Sequence, residues 1–282
     1  MAKIKPANTI AFQGLEGAYS HLACTRAYPG MDVMPCQTFE DLFKAVESGK
    51  AKYAMTPIEN SVAGRVADIH RLLPESRLYI VAEHFFRINH HLLAPKGASL
   101  KTIKIVRSHV HALAQCGKVI SHLGLKPIVH ADTAGAAMEL AQNGDRSEAA
   151  IASSLAGEIY GLKSLKKNIE DAEHNTTRFV VLSTKPVSKK PGQIKLITSF
   201  VFRVRNVPAA LYKALGGFAT NGVNMTKLES YMVGGSFNAT QFYADVDGHP
   251  DDPRLKMALE ELEFFSHEVR LLGTYEADSS RY

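Results

Sequence analysis

The sequence has few cysteines and no long apolar run. Its three cysteines, Cys24, Cys36 and Cys116, lie far apart in 282 residues and form no Cys-x-x-Cys pair. They are too few for a disulfide framework, so a reducing compartment is expected. The first residues include lysines but no apolar segment or cleavage site typical of a signal peptide, and no apolar run reaches membrane-span length. These absences predict a cytoplasmic protein with no membrane partner.

The sequence also lacks the short motifs of metal, nucleotide and nucleophilic sites. Histidines such as His90, His91 and His109 have neither His-Glu-x-x-His spacing nor an accompanying cysteine and carboxylate pattern. Gly14 and Gly17 match only part of Gly-x-Gly-x-x-Gly, and there is no P-loop. No Gly-x-Ser-x-Gly elbow marks a nucleophilic serine. We therefore expect neither a metal nor a nucleotide.

Charge is unevenly distributed along the chain. Of the 33 Lys and Arg residues, 24 precede residue 194 and 9 follow; of the 28 Asp and Glu residues, 17 precede it and 11 follow. No basic stripe interleaved with aromatic residues accompanies the N-terminal excess, which argues against a nucleic-acid partner. Either an anionic small-molecule ligand or ordinary solvated lysines explain it.

Proline, glycine and lysine divide the chain at residues 186–193, which we interpret as a linker. Residues 1–185 alternate short apolar runs with amphipathic stretches, and this pattern predicts α/β architecture with largely parallel sheets in two lobes. Residues 194–282 show the order βαββαβ, which is ferredoxin-like. In that part, Pro208 is expected in the first turn of a helix, and Gly234-Gly235 is expected to form a hairpin turn.

Each predicted strand of residues 1–185 ends in a corner with residues that favour helix caps. The corners are Gly14–Ser20, Pro57–Ser61, Ser108–His109, Asp132–Gly135 and Ser153–Ser154. Helix N-termini present free N–H groups and partial positive charge, and the carboxyl ends of parallel strands meet at one edge of a sheet. Each corner alone fits ordinary capping. Together the corners predict a cleft for a small polyanion.

A further pattern precedes the last apolar run of the first part, in the segment Asn175–Phe179. Side chains alternate along a strand, so Thr177 and Phe179 share one face while Arg178 points to the other. Either a twist lets Arg178 reach the ligand, or this arginine is a structural clamp.

Taken together, these segments resemble prephenate dehydratases. The matching segments are Gly14–Ser20, Pro57–Gly64, Ser108–Cys116, Asp132–Ala137, Tyr160–Leu162 and Asn175–Phe179. The resemblance implies a two-lobed α/β catalytic domain similar to type 2 periplasmic binding proteins, with prephenate in the cleft between the lobes and no cofactor. It also implies that residues 194–282 are an ACT domain that senses phenylalanine. Without a chorismate mutase module ahead of it, the chain looks monofunctional.

The resemblance also assigns roles to particular residues. Thr177 would hydrogen-bond to the departing hydroxyl, Arg178 would anchor substrate or support the site, and Glu59 would orient neighbouring groups from behind. An alcohol is a feeble acid, which favours orientation over proton donation by Thr177. The remaining residues that the match places in catalysis or substrate binding are Asn60, Ser61, Ser108, Gln115, Thr133, Thr176 and Phe179.

For the ACT domain, the resemblance implies a phenylalanine site with two departures from the family pattern. Gly-Ala-Leu is replaced by Ala209-Ala210-Leu211, and Glu-Ser-Arg-Pro by Glu229-Ser230-Tyr231-Met232. The backbone at Ala209 can still approach a small ligand if its φ is negative. The implied site consists of Ala209, Ala210, Leu211, Asn221, Asn224, Glu229 and Ser230. Exposed sheet edges in such a domain predict a homodimer or homotetramer.

Two other interpretations stay open at this point. Arogenate differs from prephenate only in bearing an amine where prephenate has a keto group, so arogenate dehydratase is a close alternative. A non-catalytic small-anion binding module with the same fold is the other, although the chain shows no helix-turn-helix of an effector-binding regulator.

Overall fold

The computed structural model describes residues 6–187, 192, 195–205, 207–232 and 239–281. Most of the predicted linker, residues 186–193, and the whole of the predicted Gly234-Gly235 turn lie outside these residues. The chain forms two compact units. The N-terminal unit comprises Met1–Val66 and His84–Phe179, and the C-terminal unit comprises Ala67–Glu83 and Val180–Tyr282.

The elements up to the predicted linker alternate strands with helices. They are β1 (Thr9–Gln13), α1 (Tyr19–Ala27), β2 (Asp32–Cys36), α2 (Phe39–Glu47), β3 (Tyr53–Asn60), β4 (Gly64–Arg65), α3 (Ala67–Glu75), β5 (Tyr79–Arg87), β6 (His91–Ala94), β7 (Ile105–Ser108), α4 (Val110–Ala114), α5 (Gly117–His122), β8 (Lys126–Val129), α6 (Thr133–Asn143), β9 (Glu148–Ala152), α7 (Ser154–Tyr160), β10 (Lys163–Lys166) and β11 (Thr176–Ser183).

One lobe of the N-terminal unit is built on a sheet with strand order β2-β1-β3-β11-β5, and β4 pairs with β3. Strand β1 lies parallel to both β2 and β3. Ile10, Ala11 and Phe12 are completely buried, as expected for a parallel strand covered on both faces. Strand β11 comes last in this part of the chain but inserts beside β3. That insertion brings the Asn175–Phe179 segment next to the end of β3.

The other lobe is built on a sheet with strand order β10-β6-β9-β7-β8. Strand β7 is parallel to β8 and β9, whereas β6 is antiparallel to β9 and β10. The two-lobed α/β architecture is thus confirmed, but this sheet is mixed rather than largely parallel. Strand β6, the first strand after the crossover from β5, lies between β9 and β10 and is the strand that runs antiparallel to its neighbours.

The C-terminal unit contains the predicted βαββαβ order, which is confirmed. Its elements are β12 (Leu196–Val204), α8 (Ala210–Thr220), β13 (Met225–Met232), β14 (Ala239–Asp247), α9 (Pro253–Phe265) and β15 (Ser266–Glu276). The strands form an antiparallel sheet in the order β13-β14-β12-β15. Phe200, Phe202 and Phe218 lie in the core that helices α8 and α9 share with one face of the sheet. Helix α8 begins at Ala210, so Pro208 precedes the N-cap rather than occupying the first turn.

Segment 67–83 packs against this antiparallel sheet within the C-terminal unit. The His70 ring of α3 lies 5.0 Å from the Tyr243 ring, edge to face. Arg281 pairs with Glu83, with Nη2 2.6 Å from Oε2 and Nε 2.7 Å from Oε1. Glu83 is almost fully buried, so this charge-assisted pair joins the end of the chain to the first half of β5.

Candidate active site

A cleft of about 830 Å³ lies between the two lobes of the N-terminal unit. This volume is typical of a site for a small organic ligand. The residues that line it come from the strand ends and helix starts of both lobes, as predicted from the strand-to-helix corners in the sequence. Those on which the site depends are Tyr19, Asn60, Thr177 and Phe179 from one lobe and His109, Gln115 and Thr133 from the other.

Asn60 ends β3 and is oriented by the backbone that follows it. Its Oδ1 accepts hydrogen bonds from the N–H groups of Val62 at 2.9 Å and Ala63 at 2.7 Å. Because an amide oxygen occupies that position, the Nδ2 group faces the other way, toward Asn175 Oδ1 at 2.8 Å and Thr177 Oγ1 at 2.9 Å. The Thr177 hydroxyl therefore accepts a hydrogen bond from Asn60, and its own proton is available to a ligand.

This local structure differs from the predicted corner at Pro57–Ser61. Strand β3 is followed by a short antiparallel turn back through β4, with Glu59 opposite Arg65 and Asn60 opposite Gly64. No helix begins directly after β3: Asn60 Oδ1 accepts from the N–H groups two and three residues further on, and the chain turns back to pair as β4.

The first predicted corner also differs in its cap. Helix α1 begins at Tyr19, and its N-cap is Ala18, which makes no side-chain hydrogen bond. Ser20 therefore lies inside the helix. At the Asp132 corner the prediction is confirmed, because Asp132 Oδ1 accepts from Gly135 N at 2.6 Å and caps α6.

Arg178 lies on the opposite side of β11 from Thr177 and Phe179. Its side chain is 1% exposed, and Nη1 lies 3.1 Å from Glu59 Oε1. Thr177 and Phe179 both line the cleft, whereas neither Arg178 nor Glu59 does. Arg178 is thus a buried clamp: its ion pair with Glu59 joins β11 to β3, the strand that ends at Asn60.

Three other predicted site residues, Ser61, Ser108 and Thr176, lie away from the cleft lining. Ser61 Oγ donates to His174 O at 2.6 Å and accepts from Thr176 N at 3.0 Å, which fixes the start of β11. Ser108 is completely buried and donates to Ile151 O at 2.6 Å. These hydrogen bonds support the strands that carry Thr177 and the second-lobe corner, but they do not direct a polar group into the cleft.

The electrostatic character of the cleft differs from the expectation raised by the basic N-terminal part. Among the described residues that line the cleft there is no Lys or Arg. The polar contribution from the second lobe comes from His109, His111, Gln115, the α6 cap Asp132 and the start of α6 at Thr133. Burial lowers the pKa of His109, and so does the neighbouring His111, although Asp132 opposes the shift. An anion in the cleft would be held by hydrogen bonds and helix α6 rather than by a cluster of permanent cations.

Three residues at or next to the cleft were not given a role by the sequence analysis. Tyr19 lies in the Gly14–Ser20 segment, His90 was considered only as a metal ligand, and Asn175 only as part of a motif. All three belong to one hydrogen-bonded group with Gln115. Their side chains come together from distant segments, so spacing along the chain carries no signal of the contact.

The residues assigned to a phenylalanine site lie on α8 and β13 and at the turn between these elements. Ala209 is the N-cap of α8 with a φ of 62°, so the condition of a negative φ is not met. Asn221 donates to Gly217 O at 2.8 Å, and Asn224 donates to Asp247 Oδ2 at 2.8 Å. Glu229 is half-buried, and its Oε1 lies 3.1 Å from Lys227 Nζ. Ser230 is on the opposite face of β13. Ala210 and Leu211 begin the helix itself.

The described residues lack two other kinds of feature. No group of three His, Cys, Asp or Glu side chains is arranged to hold a metal ion in this part of the chain. No helix among the same residues has both the length and the apolar character needed to span a membrane.

Comparison with known proteins places the chain in a family. Residues 10–187 match the prephenate dehydratase family. The chain is 53% identical over 272 residues to a bifunctional N-acyl-homoserine lactone acylase/prephenate dehydratase of Komagataeibacter europaeus, covering 96% of this chain and 97% of the relative. It is 38% identical over 286 residues to arogenate dehydratase/prephenate dehydratase 1, chloroplastic, of Arabidopsis thaliana, covering 96% and 73%.

Solved structures support the same assignment. A structure described as GqqA, a novel type of quorum quenching acylase, has a TM-score of 0.91 at 52% identity and covers 97% of this chain and 100% of its own. The prephenate dehydratase of Arthrobacter aurescens in complex with L-Phe has a TM-score of 0.88 at 31% identity and covers 97% and 91%. The chain therefore belongs to the prephenate dehydratase family of carbon–oxygen lyases.

Proposed function

We propose that this protein converts prephenate to phenylpyruvate in L-phenylalanine biosynthesis, and that the Thr177 hydroxyl assists loss of the ring hydroxyl. The observation that carries this proposal is the orientation of Asn60. Because Asn60 Nδ2 donates to Thr177 Oγ1 at 2.9 Å, the threonine proton is free for a hydrogen bond into the cleft. A donor fixed in place before the reaction costs no reorganisation when negative charge develops on the departing oxygen.

The reaction makes limited chemical demands on the protein. The bond between the ring and its carboxylate breaks, carbon dioxide leaves, and the bond's electron pair completes the aromatic ring as the carbon–oxygen bond to the hydroxyl breaks. The departing hydroxide takes up one proton and leaves as water. A threonine hydroxyl is too weak an acid to supply that proton outright, so Thr177 stabilises the departing oxygen by a hydrogen bond while the proton comes ultimately from solvent.

The hypothesis for substrate binding follows from the rest of the cleft lining. Phe179 shares the Thr177 face of β11 and offers an apolar surface to the six-membered ring. Gln115 and the start of α6 at Thr133 face it from the second lobe. These groups would hold the two carboxylates by amide donors and helix N–H groups. Four further residues would support these binding groups indirectly, by fixing the strand ends that carry them: Asn60, Ser61, Ser108 and Thr176.

The experiment that tests this function offers purified protein prephenate and arogenate separately. Formation of phenylpyruvate from prephenate with the higher kcat/KM is the expected result. Formation of phenylalanine from arogenate with the higher kcat/KM would reassign the protein as an arogenate dehydratase. Turnover of neither substrate would overturn the proposal and favour a binding role for the cleft.

We further propose that phenylalanine binds the C-terminal unit and inhibits the enzyme in a homodimer or homotetramer. The Arthrobacter aurescens relative was solved in complex with L-Phe and covers 97% of this chain. In this protein β13 is an edge strand of the antiparallel sheet, and edge strands are commonly covered by pairing with another chain. Inhibition requires that phenylalanine and prephenate favour different states, so each should weaken the other's binding.

The positive φ of Ala209 makes Ala209→Gly a suitable variant for testing regulation by phenylalanine. A glycine takes this backbone conformation without the strain that a Cβ introduces. Calorimetry of the full chain should show binding of phenylalanine. Ala209→Gly should strengthen this binding if the segment immediately before α8 forms part of the site. Absence of heat in both proteins, together with unchanged activity, would leave the C-terminal unit a purely structural role.

A second candidate activity is the removal of the acyl chain from N-acyl-homoserine lactones. It is supported by the Komagataeibacter europaeus relative, whose name combines this acylase with prephenate dehydratase and which is 53% identical to the chain. The cleft also has an apolar wall that includes Leu15, Pro35, Val66 and Ile88, which suits an acyl chain. Cys36 lines the cleft, but burial raises the pKa of its thiol, so it is a poor nucleophile at neutral pH.

The acylase candidate is tested by release of free homoserine lactone from an acylated substrate at enzyme concentrations that turn over prephenate. Release that prephenate suppresses competitively would place both activities in this cleft. No release would exclude the activity for this chain.

A further inference from the structure

We propose that His90 is a positioning residue for the dehydratase reaction. It acts through a chain of hydrogen bonds that links Tyr19 to Thr177 and whose donors point toward Gln115 Oε1 from both sides. The inference rests on the proposed role of Thr177 in the reaction. It adds Tyr19 and His90, which line the cleft, and the buried Asn175, to none of which the sequence motifs or the comparisons assign a role.

The direction of the chain is set by the backbone at its Thr177 end. The N–H groups of Val62 and Ala63 both donate to Asn60 Oδ1, so the Asn60 amide has only one possible orientation. Asn60 Nδ2 then donates to Asn175 Oδ1 at 2.8 Å. With its oxygen used in this way, Asn175 presents its Nδ2 group to Gln115, and the distance to Gln115 Oε1 is 3.0 Å.

The same reasoning fixes the tautomer of His90. Gln115 Oε1 can only accept, and it lies 2.9 Å from His90 Nε2, so the imidazole proton must be on Nε2. His90 Nδ1 then carries a lone pair and accepts from the Tyr19 hydroxyl at 2.6 Å. Burial lowers the pKa of His90, which favours this neutral form, although Gln115 and Glu170 oppose the shift. Every donor and acceptor along the chain is therefore assigned.

The chain lies where the two lobes of the N-terminal unit are joined. His90 is on the crossover between β5 and β6, and Asn175 immediately precedes β11 on the return crossover. Gln115, the C-cap of α4, belongs to the second lobe and is held by both of them. His90 and Asn175 are 2% and 1% exposed, so water does not compete for these hydrogen bonds.

The chain positions groups but does not transfer protons. Three of its links pass through the side-chain amides of Gln115, Asn175 and Asn60, and an amide does not readily give up a proton while receiving another. Its effect is to hold the Asn60 amide so that Thr177 keeps its proton directed at the ligand. Loss of the His90 link would let the Gln115 and Asn175 amides flip, so that Asn175 Nδ2 would face Asn60 Nδ2 and push the Asn60 side chain away from Thr177. Misplacing this donor costs on the order of tenfold to hundredfold in turnover.

The test compares two amide replacements of His90 that differ in the position of the donor. In His90→Gln the side-chain N–H can reach the place of Nε2 and keep the bond to Gln115, while Tyr19 can use its second acceptor, Asn89 O, at 3.2 Å. In His90→Asn the donor falls short of Gln115. We expect His90→Asn to lower kcat by about tenfold or more with little change in KM, and His90→Gln to recover most of that loss.

A double-mutant cycle with Thr177→Val separates positioning from a general structural effect. If His90 acts through Thr177, the loss in the double variant His90→Asn/Thr177→Val should not exceed that of Thr177→Val alone. Losses that multiply, or equal losses in His90→Gln and His90→Asn, would overturn the positioning role. Near wild-type turnover in Thr177→Val would instead refute the proposed function itself. Urea unfolding of each variant identifies any that fail to fold, and the kcat comparison is then made among the folded ones.

Discussion

The replacement Asn60→Asp perturbs the proposed site by a single atom. The Val62 and Ala63 N–H groups hold one oxygen of this side chain, and a carboxylate can satisfy both of them equally well. The second oxygen then takes the place of Nδ2, 2.9 Å from Thr177 Oγ1 and 2.8 Å from Asn175 Oδ1. Thr177 would turn its proton to this new acceptor, since no donor remains on that side of its hydroxyl.

The expected magnitude follows from which interactions are lost. Turning the Thr177 proton away from the ligand removes one transition-state hydrogen bond, which typically costs about 10² to 10³ in kcat. The new negative charge also faces a dianionic substrate and should raise KM. Asn175 can relieve the repulsion only by flipping its amide, and this flip would break its 3.0 Å bond to Gln115.

Steady-state measurement of phenylpyruvate formation tests this reasoning directly. Asn143→Asp serves as the matched control, because Asn143 is exposed at the end of α6 and the change adds the same charge outside the site. We expect a fall in kcat of about a hundredfold or more for Asn60→Asp and no comparable fall for the control. A kcat for Asn60→Asp within about threefold of wild type would refute the assigned orientation of Thr177.

Other parts of the structure give predictions for stability. Arg178→Met leaves Glu59 without the guanidinium that lies 3.1 Å away, and should lower the free energy of unfolding by about 3 kcal/mol, measured by urea denaturation; a loss below about 1 kcal/mol would contradict a buried clamp. Gly17→Ala introduces a Cβ 2.7 Å from a backbone Cα of helix α7 at a φ of 86°, and should cost about 2–4 kcal/mol; an unchanged urea midpoint would show that the lobes adjust freely. Burial lowers the pKa of His21 and of His90, so the unfolded chain binds more protons than the native protein near pH 6, and stability should fall as pH drops from about 7 to about 5; a flat or rising profile would contradict neutral native imidazoles.

The sequence was most informative where regular alternation determines geometry. Strand alternation predicted that Thr177 and Phe179 share a face, and both line the cleft. Alternation alone left Arg178 between two roles, and the deciding contact is with Glu59 on a neighbouring strand, more than a hundred residues earlier. The βαββαβ order of residues 194–282 was predictable because each helix and strand shows its own hydrophobic period.

Features that depend on contacts between distant segments were not predictable from the sequence. Asn60 closes a turn rather than beginning a helix: its side chain accepts from the backbone N–H groups two and three residues further on, and β4 then pairs with β3. The chain through His90 and Gln115 joins both crossovers, and no residue spacing encodes that meeting. Ala209 adopts a φ of 62° that residue type alone would not suggest.

The central claim is that this cleft converts prephenate through the Thr177 hydroxyl. The most direct test is the turnover of prephenate by wild type, Thr177→Ser and Thr177→Ala, each shown to be folded. The account predicts phenylpyruvate formation by wild type, substantial activity in Thr177→Ser, which keeps the hydroxyl, and a loss of about a hundredfold or more in Thr177→Ala. Turnover by Thr177→Ala at a rate near that of wild type would contradict it.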